Sequence, residues 1–250
     1  MAQKLLLPFK RQQIICGYKT KAYLDAWLFN HFGIDISSHQ GYSSATEQTN
    51  DHTIYASGEG LVVLCEKDIP SAGQKSLGMA LAIQYNGCVS RGGDTKDLVV
   101  RYIHCKDVLV KLGDRVTKNT PIAIEGAEGT MSYHLHFEVD TDINYPKYSP
   151  QVANGHSGWV HGIDTTLNPS LWLFQSADRI QDPYSFTNRA WINESTDVNL
   201  PMIAGTTTQP TDEIERLKAE NKSLKVKIVQ LEEKLASITK AIEDIISKYS

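Results

Sequence analysis

The sequence lacks the marks of a nucleic-acid binder, a membrane protein or a disulfide-framed secreted domain. Positive charge is not in excess: 25 Lys and Arg stand against 29 Asp and Glu, a formal net charge of -4. That leaves no basic footprint for nucleic acid. Long apolar runs are missing too. The stretch "LLLPF" near the start is broken by Pro8 and has neither the length nor the cleavage site of a signal peptide. No run reaches the roughly 20 residues of a membrane span. Cysteine is sparse, and Cys16, Cys65, Cys88 and Cys105 show no CxxC spacing. They fit reduced thiols better than a disulfide frame. The expectation is synthesis in the cytoplasm without a signal peptide. The HExxH motif of one large class of zinc hydrolases is also absent.

Two regions of different character remain. Up to about Phe174 short apolar runs recur, among them "GLVVLCE", "MALAIQYNG", "DLVVRYIHC", "PIAIEG" and "HLHFEVD". They are rich in Val, Ile and Tyr and separated by Gly, Asp, Asn or Pro, which predicts a mainly β barrel or folded sheet. The one helix candidate there is "KAYLDAWLFN". From Gln175 to Thr211 periodicity fades, and "AGTTTQPT" reads as a linker. The tail from Asp212 to Ser250 carries a heptad seam. Ile214, Asn221, Ile228, Leu235 and Ile242 fall at position a; Leu217, Leu224, Leu231, Ile238 and Ile245 fall at d. β-branched a, Leu d and one Asn at a predict a parallel homodimeric coiled coil. Across such a pair Glu213 would meet Lys218, Glu220 would meet Lys225 and Lys227 would meet Glu232. The Ile residues at d near the end leave a trimer open. The division is therefore 1–174 β-rich domain, 175–211 irregular extension and linker, and 212–250 oligomerisation helix.

The chemistry lies in two short stretches. In "HFGIDIS" apolar Phe32, Ile34 and Ile36 alternate with His31, Gly33 and Asp35. Period two predicts a strand with one core face and one polar face. Gly33 leaves room between the imidazole and the carboxylate. In "YHLHFEVD" Leu135, Phe137 and Val139 alternate with His134, His136 and Glu138. Histidines sharing a buried face need a partner, and a metal would supply it. Three N/O ligands with an open fourth position suit hydrolytic zinc. Glu138 shares that face and reads equally as a carboxylate orienting a ring N–H or as a solvated one. His39, His52 and His156 read as surface residues. "WVHGIDTTLNP" is a decoy, because His161 and Asp164 are three apart and face opposite sides of a strand.

"HFGID", "YIHC" and "HLHFEV", in that order, resemble the M23 (lysostaphin and LytM-type) zinc metallopeptidases. The resemblance spans about Leu7 to Phe174 and takes in "YASGEGLVV", "VKLGDRVTKNTPIAIEG" and "NPSLWLF". One departure is Ser132, where the family often has glycine. The resemblance implies a LytM-like folded antiparallel sheet or half-barrel followed here by the α-helical coiled coil. It implies one Zn2+ per chain held by His31, Asp35 and His136, with His104 and His134 as the catalytic pair. It implies a peptidoglycan endopeptidase acting at the bacterial cell wall. With no export signal read, a phage or prophage endolysin released through a holin, or a peptidase carried in a phage tail, fits that expectation. The other classes it leaves open are a non-catalytic LytM-like adaptor and a coiled-coil structural virion component.

Overall fold

The computed structural model describes residues 2–38, 52–66, 79–127, 130, 132–147, 164–182 and 189–203. The coiled coil read at 212–250, the linker, and His39, His156 and His161 lie outside these residues. Among the described residues fourteen strands run in chain order: β1 (Leu5–Leu6), β2 (Arg11–Cys16), β3 (Ile34–Ser37), β4 (Thr53–Tyr55), β5 (Gly60–Glu66), β6 (Met79–Val89) and β7 (Thr95–Cys105), then β8 (Asp107–Val108), β9 (Arg115–Val116), β10 (Pro121–Ile124), β11 (Leu135–Asp140), β12 (Thr166–Leu167), β13 (Leu173–Phe174) and β14 (Ile180–Gln181). The protein is mainly β, as the alternating runs predict.

The main sheet has the order β14-β2-β3-β11-β7-β6-β5-β9, with β12 added on β11. From β2 through β9 its pairs are antiparallel; β14 joins β2 in parallel. A smaller sheet, β4-β10-β8, is separate from it. One face of the main sheet is the core. Ile34 and Ile36 from β3, Val100 and Tyr102 from β7, and Leu135, Phe137 and Val139 from β11 all lie there fully buried. Period two therefore places the apolar sets as expected, with one exception. Phe32 precedes β3, is half-buried, and its ring lies under Lys19 Nζ at 5.4 Å rather than in the core.

The predicted helix forms as α1 (Lys21–Trp27), which buries none of its residues. It stops at Leu28, whose φ of 63° is left-handed and whose N–H donates to the Leu24 carbonyl. No helix among the described residues is long and apolar enough to cross a membrane.

The stretch read as an irregular extension is part of the compact unit, which runs from Met1 to Thr206. Ile192 and Leu200 enter the core. Arg179, buried, donates from Nη1 to the carbonyls of Leu7 (2.8 Å) and Ala56 (2.9 Å). These backbone acceptors are far away in sequence, so no local periodicity announces the packing.

Candidate metal centre

Strand register assembles the site. Asp35 on β3 and His136 on β11 are direct cross-strand partners. On its other side His136 pairs with Ile103 of β7, one residue before His104. His31 sits in the approach to β3, with its side chain 1% exposed. Three atoms converge: His31 Nε2 is 3.0 Å from Asp35 Oδ1 and 3.0 Å from His136 Nδ1, and His136 Nδ1 is 3.1 Å from Asp35 Oδ1. Gly33 makes this packing feasible. A Cβ there would lie 2.7 Å from His136 Nε2 and 2.6 Å from the Phe137 carbonyl oxygen, so the glycine leaves room for the His136 ring itself.

The hydrogen bonds fix the tautomers. His31 Nδ1 meets the Gly17 carbonyl at 2.9 Å. A carbonyl only accepts, so Nδ1 carries the proton and Nε2 presents its lone pair. His136 turns Nδ1 toward His31. Two ring nitrogens 3.0 Å apart cannot both offer lone pairs unless a proton or a metal cation lies between them. The cluster's pull on cations shows in the titration of its members. Burial opposes charge on His136, but Asp35 and Glu138 outweigh it and push the imidazole up to about 9. Burial likewise opposes ionisation of Asp35, yet His31, His134 and His136 hold it well below the usual carboxylate range. A tetrahedral cation with bonds of about 2.0–2.1 Å needs donors about 3.3 Å apart. The spacing here, within a few tenths of an ångström of that, fits such an ion.

His104 and His134 flank the three donors. His134 Nδ1–H donates to the Ser132 carbonyl at 2.9 Å. Its Nε2 therefore presents a lone pair, 3.7 Å from Asp35 Oδ1. The His104 ring lies 5.0 Å from that of His134 and 6.1 Å from that of His136. His104 has a φ of 68°, unusual for a residue with a side chain. Gly126 permits this turn, since a Cβ there would sit 2.5 Å from the His104 carbonyl oxygen and from Lys106 N. Strained backbone of this kind clusters at functional sites. Ser132, the departure from glycine, thus contributes its carbonyl to orient His134.

The other sequence assignments divide. Cys105 is buried in the core, away from the site as expected, although the left-handed φ of His104 means that the step between them is not extended. Asp164 binds Lys19 at 2.5 Å and Thr166, away from the three donors. Glu138 is fully buried and not solvated. His52 is not a free surface residue: its side chain is 11% exposed, with Nδ1 2.8 Å from the buried Glu125. Two neighbours of the site carried no sequence signal. Cys16 is opposite Asp35 in the β2–β3 register, and its sulfur, His31 and Asp35 offer donor atoms within 4.8 Å of one another. Burial pushes its thiol far up. Tyr23 of α1 stacks on the His31 ring at 4.5 Å.

Residues 30–147 match the sequence profile described as Peptidase family M23. The match covers just under half of the chain. The M23 segment holds all five histidine and aspartate positions assigned from the sequence. No curated protein matches the chain. Among solved structures, a zinc-containing peptidase from Vibrio cholerae is 27% identical, with a TM-score of 0.39 over 55% of this chain and 37% of that one. LytU is 21% identical, with a TM-score of 0.39 over 64% of this chain and 82% of that one. The catalytic domain of EnpA, a prophage-encoded M23 protein from Enterococcus faecalis, is 21% identical, with a TM-score of 0.40 over 63% and 88%. The matched part of the Vibrio cholerae peptidase is thus little more than a third of its length.

Proposed function

We propose that the protein is a zinc-dependent endopeptidase that hydrolyses peptide bonds of bacterial peptidoglycan. The observation that carries the reading is the convergence of His31 Nε2, His136 Nδ1 and Asp35 Oδ1 within 3.1 Å. His31, Asp35 and His136 hold the metal. Zinc, when bound, polarises the scissile carbonyl and lowers the pKa of water at the site. His134, locked with Nδ1–H on Ser132, turns a basic Nε2 to the same side and takes the proton of the attacking water. His104, across from it, stabilises the developing oxyanion or returns a proton to the leaving amine. Asp35, 14% exposed, is the most accessible of the three.

The source that best suits this reading is a phage or prophage lysin, released through a holin or carried on the virion, that meets the wall from outside its own synthesis route. The tail at 212–250 dimerises the chain and gains avidity on a polymeric wall. Sedimentation equilibrium tests that step: the full chain should be dimeric, and a chain ending at Gly205 monomeric. Digestion of purified walls followed by mass spectrometry of the muropeptides tests the activity. Intact muropeptides from a zinc-loaded protein would replace the endopeptidase with a non-catalytic wall-binding adaptor.

A further inference from the structure

Behind His136 lies a second set of charges. Glu138, two residues on, shares the face of β11 that carries His136 and is the cross-strand partner of Arg101 on β7. Glu138 Oε1 accepts from Arg101 Nη1 at 2.7 Å, and the same nitrogen donates to Asp140 Oδ2 at 2.8 Å. Arg101 also donates through Nε to the Pro146 carbonyl at 2.8 Å and through Nη2 to the Tyr145 carbonyl at 3.2 Å. Arg101, Glu138 and Asp140 are all at most 1% exposed. The other oxygen of Glu138, Oε2, lies 3.6 Å from His136 Nε2. That nitrogen is buried and makes no hydrogen bond. At 3.6 Å the contact is an ion pair and not yet a hydrogen bond.

We propose that Glu138, anchored by Arg101, is a positioning residue that fixes the tautomer and ring orientation of His136 for zinc. The inference rests on the zinc reading above. A ligating histidine needs its second nitrogen protonated and held, so that the first keeps its lone pair for the metal. Glu138 is the carboxylate facing that second nitrogen. Arg101 decides which way Glu138 points: its Nη1 takes one carboxylate oxygen and leaves the other toward His136. Asp140 serves the same arginine but not the histidine. Its Oδ1 accepts from Asp142 N at 2.8 Å and Thr165 Oγ1 at 2.6 Å. Losing Asp140 would weaken the fold to a similar degree without touching the metal ligand. That separates positioning from plain structural support.

The experiment compares wild type, Glu138→Gln and Asp140→Asn. Zinc affinity is measured by competition with a chromogenic chelator, and ligand geometry by the visible spectrum of the cobalt-loaded protein. Glu138→Gln should lower zinc affinity roughly 10–100-fold and shift the cobalt bands. Asp140→Asn should stay within about twofold of wild type in affinity while melting at a lower temperature. Nitrogen-15 spectra of the wild-type zinc form give a measurement independent of any variant, and should show His136 Nε2 protonated and protected from exchange. Equal affinity losses in the two variants, wild-type affinity in Glu138→Gln, or an unprotonated Nε2 would overturn the inference. Wild type that takes up no zinc would overturn the zinc reading and the inference with it.

Discussion

Two buried polar clusters share β11, and they differ in one respect. Arg101, Glu138 and Asp140 bring their own cation, and the hydrogens of Arg101 that point into the cluster meet a carboxylate or a carbonyl. His31, Asp35 and His136 turn three ligand atoms, Nε2, Oδ1 and Nδ1, toward one point, pressed to within 3.1 Å of each other. The first cluster is complete as folded. The second is completed only by something from outside, and the nearest thing the protein offers is a proton on His136. A buried cluster that supplies both signs holds structure together; one that supplies a single kind of donor atom is built to receive an ion.

The sharpest break in the comparison is to remove a ligand from the incomplete cluster. His31→Ala, Asp35→Ala or His136→Ala should abolish tight zinc binding and wall hydrolysis together, read by metal analysis after dialysis and by turbidity loss. Stoichiometric zinc in His136→Ala would discredit the ligand set. Next come the flanking histidines, to which the proposed mechanism gives the chemistry and not the binding. His104→Ala and His134→Ala should retain zinc and lose turnover by roughly 10²–10⁴-fold; wild-type turnover in both would remove the mechanism. The complete cluster is tested by Arg101→Met. Two buried carboxylates then lose their cation, and stability should fall by roughly 3–5 kcal/mol in urea unfolding, with added zinc unable to restore it. A loss under about 1 kcal/mol would mean that the cluster is not sealed from water.

The smallest effect is a pH trend in chelator-treated protein. The folded-state value of His136 is raised above its ordinary 6.5, so its contribution is full below about 6.5 and fades as pH climbs through about 9. Asp35 is lowered, so its contribution holds above the usual carboxylate range and is lost as pH falls below it. Urea midpoints should therefore decline on both sides of a plateau at mildly acidic pH. Zinc displaces the proton and should flatten the alkaline side. An alkaline decline unchanged by saturating zinc would show that the proton and the metal do not compete for the cluster.

The sequence by itself determined the faces. Period two in "HFGIDIS" and "YHLHFEVD" separates Ile34, Ile36, Leu135, Phe137 and Val139 from His31, Asp35, His134, His136 and Glu138, because a strand turns alternate side chains to opposite sides whatever surrounds it. The motif order added the family, since residues 30–147 carry its profile. The tertiary structure decided what those faces meet. Register, set by pairing between strands up to a hundred residues apart, put His136 opposite Asp35, Cys16 beside it and Arg101 against Glu138. Short-range alternation carries no term for which strand lies next door, so Cys16, Tyr23, Arg101 and the packing of the segment after Phe174 could not be read from it. Only the folded chain, in which burial forces each polar group to find a partner, shows which charges neutralise each other and which are left turned toward an ion.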